Sequence, residues 1–278
     1  MIDTHLHLNR REFADDRDQV RDRARDAGVA GFINVGYDLE SSRASVDLSA
    51  AHPEIRATVG IHPHDAALLA DPEGRLTQDG RRCLAVLADL ATAPGVVAIG
   101  EIGLDFYRDL SPRPAQRTAL IAQLELAGRL DLPVVFHIRD AYPETLALVD
   151  EVGLPTRGAV LHSFAGEAAH ARWARDRGCL LGIGGPITYK NSQLPQVLAK
   201  AGVTAADVLL ETDAPWLPPV PHRGRRNEPA FLVHTCETLA AVLGLEAATL
   251  ARATDANVAR RFGPWPGVLD GPRGGGLE

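Results

Sequence analysis

The sequence predicts a parallel α/β fold, and a closed (β/α)8 TIM barrel in particular. Three observations support this prediction. Short apolar runs alternate with helical patterns eight times, the apolar runs are nearly continuous, and no shift in composition divides the 278-residue chain. Strands of that kind belong to parallel sheets buried under helices. An open, doubly wound sheet is the alternative that this pattern leaves.

The predicted strands are rich in β-branched residues, and several follow a turn signal. They are MIDTHLHL at 1–8, GFINVG at 31–36, IRATVGIHP at 55–63, VVAIGEIGLD at 96–105, LPVVFHIRD at 132–140, GAVLHSF at 158–164, CLLGIGG at 179–185 and DVLLETDAP at 207–215.

Helical patterns separate these strands and follow the last of them. They cover residues 16–27, 39–51, 81–91, 114–130, 144–151, 167–177, 194–201, 228–243 and 249–262. The clearest has Leu120, Leu124, Ala127 and Leu130 on one apolar stripe. We therefore expect one barrel domain over residues 1–262. Residues 263–278 should form a flexible tail, whose last residues could be a cloning remnant.

Composition excludes several classes of protein. With 45% hydrophobic and 23% charged residues the chain can bury a large core, and a net charge of −7 argues against a nonspecific nucleic-acid coat. Cys83, Cys179 and Cys236 are too far apart for a thiolate zinc motif, so we expect free thiols. No transmembrane run or signal peptide is evident. We expect a cytoplasmic monomer without membrane contact or an obligate protein partner.

Histidines and carboxylates gather at the predicted carboxyl ends of the strands, where barrel enzymes carry their active sites. Six of the ten histidines fall there. The strand-end groups are His5, His7, His62, His64, Glu101, Asp105, His137, Arg139, His162, Glu211 and Asp213. Any one of them alone is readily explained as a structural residue or a turn residue. Their recurrence on five or more strands instead favours a metal site.

The residue types limit the metal chemistry. Imidazole and carboxylate ligands without thiolate suit Zn²⁺, Mn²⁺, Fe²⁺ or Ni²⁺, and Mg²⁺ or Ca²⁺ where oxygen ligands dominate. These ligands are too many for one tetrahedral ion and suit two ions, about 3.5–4 Å apart, with Glu101 as the natural bridge. Such a pair can activate a shared water, and Asp213 could both bind an ion and accept that water's proton.

Several longer segments match one known family in order from Asp3 to Pro229. They are DTHLHL, GIHPH, GEIGLDFYR, HIRDA, LHSFAG, GGPITYKNS, ETDAPWLPP and RNEP. On these segments the chain resembles the TatD family of metal-dependent deoxyribonucleases, among the amidohydrolase-type barrels. Many other barrels of that superfamily bridge their metals with a carboxylated lysine. The lysines of this chain, Lys190 and Lys200, are not on strand four, which agrees with Glu101 in that role.

The resemblance implies a ligand set and an activity. His5, His7, Glu101 and Asp213 would surround one divalent ion, and Glu101, His137 and His162 the other. The implied activity is 3′–5′ exonuclease cleavage of single-stranded DNA, with some action on RNA or related phosphodiesters. Mg²⁺ or Mn²⁺ would support activity, and Zn²⁺, Fe²⁺ or Ni²⁺ would also fit as bound ions. Some relatives are instead deacylases of D-aminoacyl-tRNA, so an ester or amide hydrolase on the same site is the alternative.

Other residues are expected to face the substrate. His62 and His64 would do so, His62 at the scissile phosphate, while Asp105 would orient the water or a ligand histidine, or be a turn residue. The expected phosphate-facing rim consists of Arg108, Arg139, Lys190, His222, Arg223, Arg225 and Arg226. Tyr107, Phe164 and Trp216 either stack on bases or pack in the fold. A non-catalytic metal-binding protein would be expected to have lost a ligand, and none is lost here.

Overall fold

The computed structural model describes residues 1–265 and 267, and these form a (β/α)8 barrel. Its eight parallel strands follow chain order in one sheet. The strands are β1 (Ile2–Leu6), β2 (Gly31–Val35), β3 (Ile55–Val59), β4 (Val96–Asp105), β5 (Val134–Arg139), β6 (Ala159–Leu161), β7 (Leu180–Ile183) and β8 (Val208–Leu210). The predicted eightfold alternation of strand and helix is confirmed.

Helices separate the strands, and two more complete the described chain. They are α1 (Arg17–Asp26), α2 (Leu39–Ala51), α3 (Gln78–Leu90), α4 (Arg113–Leu130), α5 (Tyr142–Val152), α6 (Ala168–Asp176), α7 (Leu194–Ala201), α8 (Leu232–Leu243) and α9 (Ala247–Phe262). The predicted tail begins just after α9, and its residues 266 and 268–278 lie outside the described part of the chain. The single-domain boundary at residue 262 stays a prediction.

Several boundaries differ from the sequence prediction, among them the end of β8 at Leu210 instead of residue 215, and two of the differences lie beside prolines. The third strand stops at Val59 and does not reach Pro63, which opens a short 3-10 helix, Pro63–Leu68. In the same way Pro229 begins a 3-10 turn, Pro229–Phe231, so α8 starts only at Leu232. Proline has no N–H for a strand or helix interior, and its fixed φ suits the first position of a helical turn.

The chain packs as two compact units. The first unit comprises residues 1–34 and those described from 163 onward. In it, β1 pairs with β2 in parallel register and β7 with β8. The pairing of β1 extends past its named end, since the His7 N–H donates to Ala214 O at 2.9 Å and the Asp213 N–H to His5 O at 2.8 Å. These two bonds bring together the chain segments that carry three predicted ligands.

The second unit comprises residues 35–162 and contains β3 to β6 with α2 to α5. Every residue of β4 is buried, and its register with β5 places Gly103 opposite His137 and Asp105 opposite Arg139. On α4 the predicted stripe is buried at three of its four positions, Leu130 being intermediate. Gln116 and Gln123 on the same helix are also fully buried, which the apolar pattern did not predict.

Two further expectations concern cysteines and membrane helices. All three cysteines are free and buried, in agreement with the prediction. Among the described residues no single helix combines the length and apolarity needed to cross a membrane. The bent pair Pro229–Leu243 and Ala247–Phe262 passes that test only when both parts are counted together.

Candidate metal centres

One cluster of metal-ligand side chains lies in the first unit, where the end of β1 meets the segment after β8. The Asp213 Oδ1 is 3.6 Å from His7 Nε2 and 4.0 Å from His5 Nε2. Ligand atoms of all three residues lie within 4.8 Å of one another. Ligands that share an ion at about 2.0–2.2 Å are roughly 3–4 Å apart. Three of the four residues that the resemblance assigns to one ion, all except Glu101, therefore meet at a suitable spacing.

Asp213 is held by its neighbours in an unusual backbone conformation. Its φ is +56°, in the left-handed region that residues other than glycine rarely adopt. The preceding residue, Thr212, donates its N–H to Asp3 Oδ1 at 3.0 Å and its hydroxyl to Asp3 Oδ2 at 2.5 Å. Burial raises the pKa of Asp3 to about 8, although hydrogen bonds from Thr212 and the His5 N–H oppose that rise. Asp3 thus holds the strand end through hydrogen bonds to Thr212 and the His5 N–H.

Asn227 holds the other side of this segment, and sequence reasoning did not single it out. Its side chain is fully buried and donates to Thr212 O at 2.8 Å and to Trp216 O at 2.6 Å. The Asn227 N–H also donates to Pro215 O at 3.0 Å. Together these bonds close the turn that carries Asp213. The RNEP segment was the only signal in the sequence, and it showed a resemblance without showing a role.

The second cluster lies in the second unit at the carboxyl ends of β4, β5 and β6. The Glu101 Oε2 is 3.5 Å from His137 Nδ1 and 3.6 Å from His162 Nε2. Glu101 and His162 are buried, and His137 is partly buried. These are the three residues that the sequence assigned to the other ion. Its additional expectation, that Glu101 bridges two ions, stays a prediction.

Asp105 orients His137. The Asp105 Oδ2 is 3.1 Å from His137 Nε2, and its Oδ1 accepts the N–H groups of Tyr107 and Arg108 at 3.0 and 2.7 Å. A carboxylate only accepts, so the proton is on His137 Nε2 and the Nδ1 lone pair faces Glu101. Burial would lower the pKa of His137, but the carboxylates of Asp105 and Glu101 outweigh it and raise that pKa. A proton and a metal cation therefore compete for Nδ1.

The hydrogen bonding of His62 also fixes the tautomer of its ring. Its Nδ1 accepts the backbone N–H of His64 at 3.1 Å. Burial, with neighbouring His137 and His64, lowers the pKa of His62 well below its ordinary value, so its ring is neutral. A neutral ring that accepts at Nδ1 has its proton on Nε2. His62 lies within ligand distance of Glu101 and His137, and in this tautomer its Nε2 presents a hydrogen-bond donor there.

The donors in both clusters suit divalent cations. Each cluster combines imidazole nitrogens with one carboxylate, and none of its members is a cysteine. In the second unit two acceptors, His137 Nδ1 and the Glu101 carboxylate, face each other at 3.5 Å. Two lone pairs at that spacing need a proton or a cation between them. Imidazole with carboxylate ligands accommodates several first-row metals, and carboxylate oxygen accommodates Mg²⁺ and Mn²⁺.

The predicted rim residues separate into available and committed side chains. Arg108, Lys190, Arg223 and Arg225 are exposed. Arg139 is also exposed, and its guanidinium lies 3.9 Å from the Tyr107 ring centroid. In contrast, Arg226 pairs with Asp16 at 2.7 Å, and His222 stacks on Phe231 with centroids 3.6 Å apart. The side chains of Arg226 and His222 are thus committed to the fold.

The strand-end and aromatic residues also divide into side chains that are bonded or packed within the fold and side chains that are exposed. His64, predicted to face the substrate, has its Nε2 2.8 Å from Asp105 Oδ2. Glu211 accepts the Ser163 N–H at 2.6 Å and so supports the backbone. Phe164 is 3% exposed and packs in the core, whereas Tyr107 and Trp216 are 60% and 40% exposed. Only the latter two can present a ring face to a base.

The barrel and its two histidine–carboxylate clusters at strand ends define a metal-dependent hydrolase. The model of the TatD related DNase family matches residues 2–263. The chain belongs to that family and is a metal-dependent nuclease.

Relatives and a solved structure match over nearly the whole chain. A protein of Escherichia fergusonii named 3'-5' ssDNA/RNA exonuclease TatD is 37% identical over 267 residues, 95% of this chain and 99% of its own. A Bacillus subtilis protein named uncharacterized metal-dependent hydrolase YabD is 32% identical over 262 residues, 94% and 98% of the two chains. The crystal structure of YJJV, a TatD homologue from Escherichia coli K12, superposes with a TM-score of 0.85 at 31% identity, covering 95% and 98%.

Proposed function

We propose that this chain is a 3′–5′ exonuclease that hydrolyses phosphodiester bonds of single-stranded DNA and, secondarily, RNA. The observation that carries the proposal is the pair of three-residue clusters at strand ends, His5–His7–Asp213 and Glu101–His137–His162. The name of the Escherichia fergusonii relative supports the same polarity and substrate. The neutral imidazole of His62 beside the second cluster adds a donor for a phosphate oxygen.

Each cluster would hold one divalent ion, with Mg²⁺ or Mn²⁺ supporting activity and Zn²⁺, Fe²⁺ or Ni²⁺ as other occupants. When bound, such ions lower the pKa of water and neutralise charge on phosphate oxygens. His5, His7, His137 and His162 contribute neutral nitrogens, and Glu101 and Asp213 contribute the negative charge. The shared role of Glu101 between two ions remains part of the proposal.

The chain's own side chains carry the remaining steps. The Asp213 carboxylate accepts the proton of the attacking water, since it can face both substrate and solvent with 14% of its side chain exposed. His62 donates its Nε2–H to a non-bridging oxygen of the scissile phosphate. Asp105 keeps His137 in the tautomer that presents Nδ1, and it is a positioning residue. Arg108 and Arg139, both exposed, would contact flanking phosphates.

A cleavage assay tests this proposal. Metal-stripped protein is mixed with 5′-labelled single-stranded DNA, with and without Mg²⁺, Mn²⁺ or Zn²⁺, and products are resolved on a sequencing gel. We expect a metal-dependent ladder that shortens from the 3′ end. Asp213→Asn, prepared in parallel, should bind the DNA but leave it intact, which excludes a contaminating nuclease. Internal cuts, or a ladder from the 5′ end of a 3′-labelled strand, would contradict the proposed polarity.

Carboxyl esters and a D-aminoacyl-tRNA form the comparison substrates. Their hydrolysis at a rate above that of DNA would overturn the choice of phosphodiesters. We also propose that the protein acts in the cytoplasm as a monomer. The three free, buried thiols fit a reducing compartment, and size-exclusion chromatography with light scattering checks the oligomeric state.

A further inference from the structure

An open pocket of the first unit is lined by residues from the segments after β7 and β8. Its volume is about 350 Å³, and it is lined by Pro186, Tyr189, Lys190, Asn191, Ser192 and Arg223. The lining contains two cations and two neutral polar side chains but no carboxylate. None of these six residues belongs to either histidine–carboxylate cluster. We call this feature the Lys190 pocket.

Two chain segments form the pocket, and hydrogen bonds fix them together. One segment follows β7 and the other follows β8. The Tyr189 hydroxyl donates to Pro218 O at 3.0 Å, and the Val220 N–H donates to Thr188 Oγ1 at 2.9 Å. Gly185 lies so close to Leu217 O that a Cβ at this position would overlap it. The relative placement of Lys190 and Arg223 is therefore set before any ligand binds.

Arg223 is held flat by an aromatic ring. Its guanidinium carbon lies 4.0 Å from the Tyr189 ring centroid. Stacking of this kind restricts the side chain and leaves the N–H groups at the guanidinium edge free to bind two oxygens of a phosphate. Within the described residues neither Arg223 nor Lys190 forms an ion pair with a carboxylate, unlike Arg226 beside Asp16. Both positive charges remain available to an anion.

We propose that the Lys190 pocket is a subsite for a backbone phosphate of the nucleic-acid substrate, one other than the phosphate being hydrolysed. This rests on the proposed nuclease function. Lysine, stacked arginine and neutral donors without a carboxylate are the chemistry that binds phosphate. The pocket is open, as a passing strand requires, and it follows β7 and β8 at the end of the barrel that carries active sites. Contacts to phosphate alone make the subsite independent of base sequence.

The experiment compares the double variant K190Q/R223Q with K200Q/R129Q. The control removes the same two charges from exposed positions on α7 and α4. Binding of a fluorescent oligothymidylate is measured by anisotropy in a chelator, so that no cleavage is needed. We expect K190Q/R223Q to raise the Kd about 10- to 100-fold over the control. The slope of log Kd against log salt should be shallower by about 0.7 than that of the control, because one phosphate contact on a single strand is lost.

A comparison of two substrates distinguishes a loss of strand binding from a loss of catalysis. With metal present, K190Q/R223Q should lose more kcat/KM on the oligonucleotide than on a small chromogenic phosphodiester, each measured relative to the control variant. Tyr189→Leu, which removes the platform under Arg223, should raise the oligonucleotide Kd, and Tyr189→Phe should raise it much less.

The possible failures are distinguishable. Equal Kd and equal salt dependence in K190Q/R223Q and the control would overturn the subsite, whatever the wild type cleaves. If the wild type does not cleave the oligonucleotide with any metal, the proposed function fails, and the anisotropy result still decides whether the pocket binds a nucleic-acid backbone.

Discussion

At the residue scale, Asp213 depends on two residues outside the histidine–carboxylate clusters, Asp3 and Asn227. Its left-handed backbone conformation persists because Asp3 holds Thr212 on one side and Asn227 spans Thr212 and Trp216 on the other. Residues held in sparsely populated conformations cluster at functional sites and need such support. The carboxylate is therefore positioned by buried hydrogen bonds rather than by its own local preference.

Asn227→Ala tests that support. Losing two buried amide–carbonyl bonds should lower the free energy of unfolding by about 1–3 kcal/mol. It should also reduce metal affinity at the first cluster and the cleavage rate, since Asp213 loses its fixed position. Asn257→Ala is the matched control, because Asn257 is buried in the same unit and donates to Ala205 O and Val208 O at the opposite end of β8. Urea unfolding, metal content and rate are measured for both; equal activity loss in the two would show a general stability effect.

His62 gives a second prediction at this scale. As a donor rather than a ligand, it should be replaceable without loss of metal. We expect His62→Leu to keep wild-type metal content and lose about 10²-fold or more in rate, within the range of a positioned catalytic group. His62→Gln, which retains an N–H donor, should recover part of that rate. Metal analysis alongside single-turnover cleavage decides the matter, and loss of an ion from His62→Leu would make His62 a ligand.

At the element scale, α4 holds the ends of two strands through side chains that resemble a peptide group. The Gln123 amide donates to Ile61 O at 3.0 Å and accepts the Ile61 N–H at 2.7 Å, immediately before His62. Gln116 accepts the Asp105 N–H at 2.9 Å and donates to Asp105 O at 3.2 Å. The helix thus satisfies backbone groups where the strands stop, and it fixes the residues that carry His62 and Asp105.

Gln123→Met should be strongly destabilising despite its apolar replacement. The Ile61 N–H and C=O would remain buried without these partners, which costs about 1–3 kcal/mol for each group that stays unsatisfied. The exposed Gln78→Met on α3 should change stability by less than about 0.5 kcal/mol. Urea midpoints for the two variants provide the comparison, and a neutral Gln123→Met would show that water replaces the amide.

The start of α1 is joined to the segment before α8 by an ion-pair network. Asp16 lies 2.7 Å from Arg226 Nη2 and 3.2 Å from Arg23 Nη2, and Arg23 is 2.6 Å from Glu228. Hydrogen bonding to Arg226 is the largest cause that lowers the pKa of Asp16, from 3.8 to about 2. Because the folded state binds this proton less tightly than the unfolded state, the contribution to stability is present above pH 3.8 and is lost as the pH falls toward 2.

The pH dependence of Asp16→Asn follows from that sign. The difference in unfolding free energy between wild type and variant should be constant near neutral pH and should shrink as the pH falls from about 5 toward 3. Asp22→Asn, an exposed carboxylate on the same helix, should show only a small difference throughout. Urea titrations at several pH values measure both. A difference in unfolding free energy between wild type and Asp16→Asn that grows as the pH falls would contradict the assigned pKa direction.

At the scale of the whole molecule, the two clusters couple metal binding to stability. Each cluster gathers imidazole nitrogens around one carboxylate, and a bound cation would be held by all of them. An ion that binds only the folded state stabilises it by about 2.7 kcal/mol at a concentration 100-fold above its Kd. Metal should therefore raise the melting temperature in proportion to the number of ions held.

Metal removal tests this coupling. Chelation should lower the Tm of the wild type, and adding back Mn²⁺ should restore it. Glu101→Gln should show a smaller restoration and bind at least one ion less tightly, because the second cluster loses its carboxylate. Glu125→Gln, an exposed carboxylate on α4, is the matched control and should behave as wild type. Metal content and thermal unfolding are followed together; a Tm indifferent to chelator would show that neither cluster holds an ion.

The sequence by itself predicted the barrel, which the structure confirms, and the candidate ligand residues. Eight alternations of strand and helix follow from local periodicity, and the strand-end position of His5, Glu101, His137 or Asp213 follows from where each apolar run stops. Both are local properties, which can be read from neighbouring residues in the sequence without knowing the tertiary contacts. Longer motifs then identified the family. The proline boundaries at Pro63 and Pro229 were misplaced by a few residues because an apolar run does not show where its backbone hydrogen bonds end.

Only the tertiary structure decided which neighbours each side chain meets. Asn227 donates to Thr212 O, Arg226 pairs with Asp16 and Arg223 stacks on Tyr189, and each of these contacts joins residues distant in sequence. The tautomer of His62 depends on a single hydrogen bond. A burial pattern cannot distinguish a charge left free from a charge already paired. That distinction depends on distances of a few ångströms between elements, and these are set by packing.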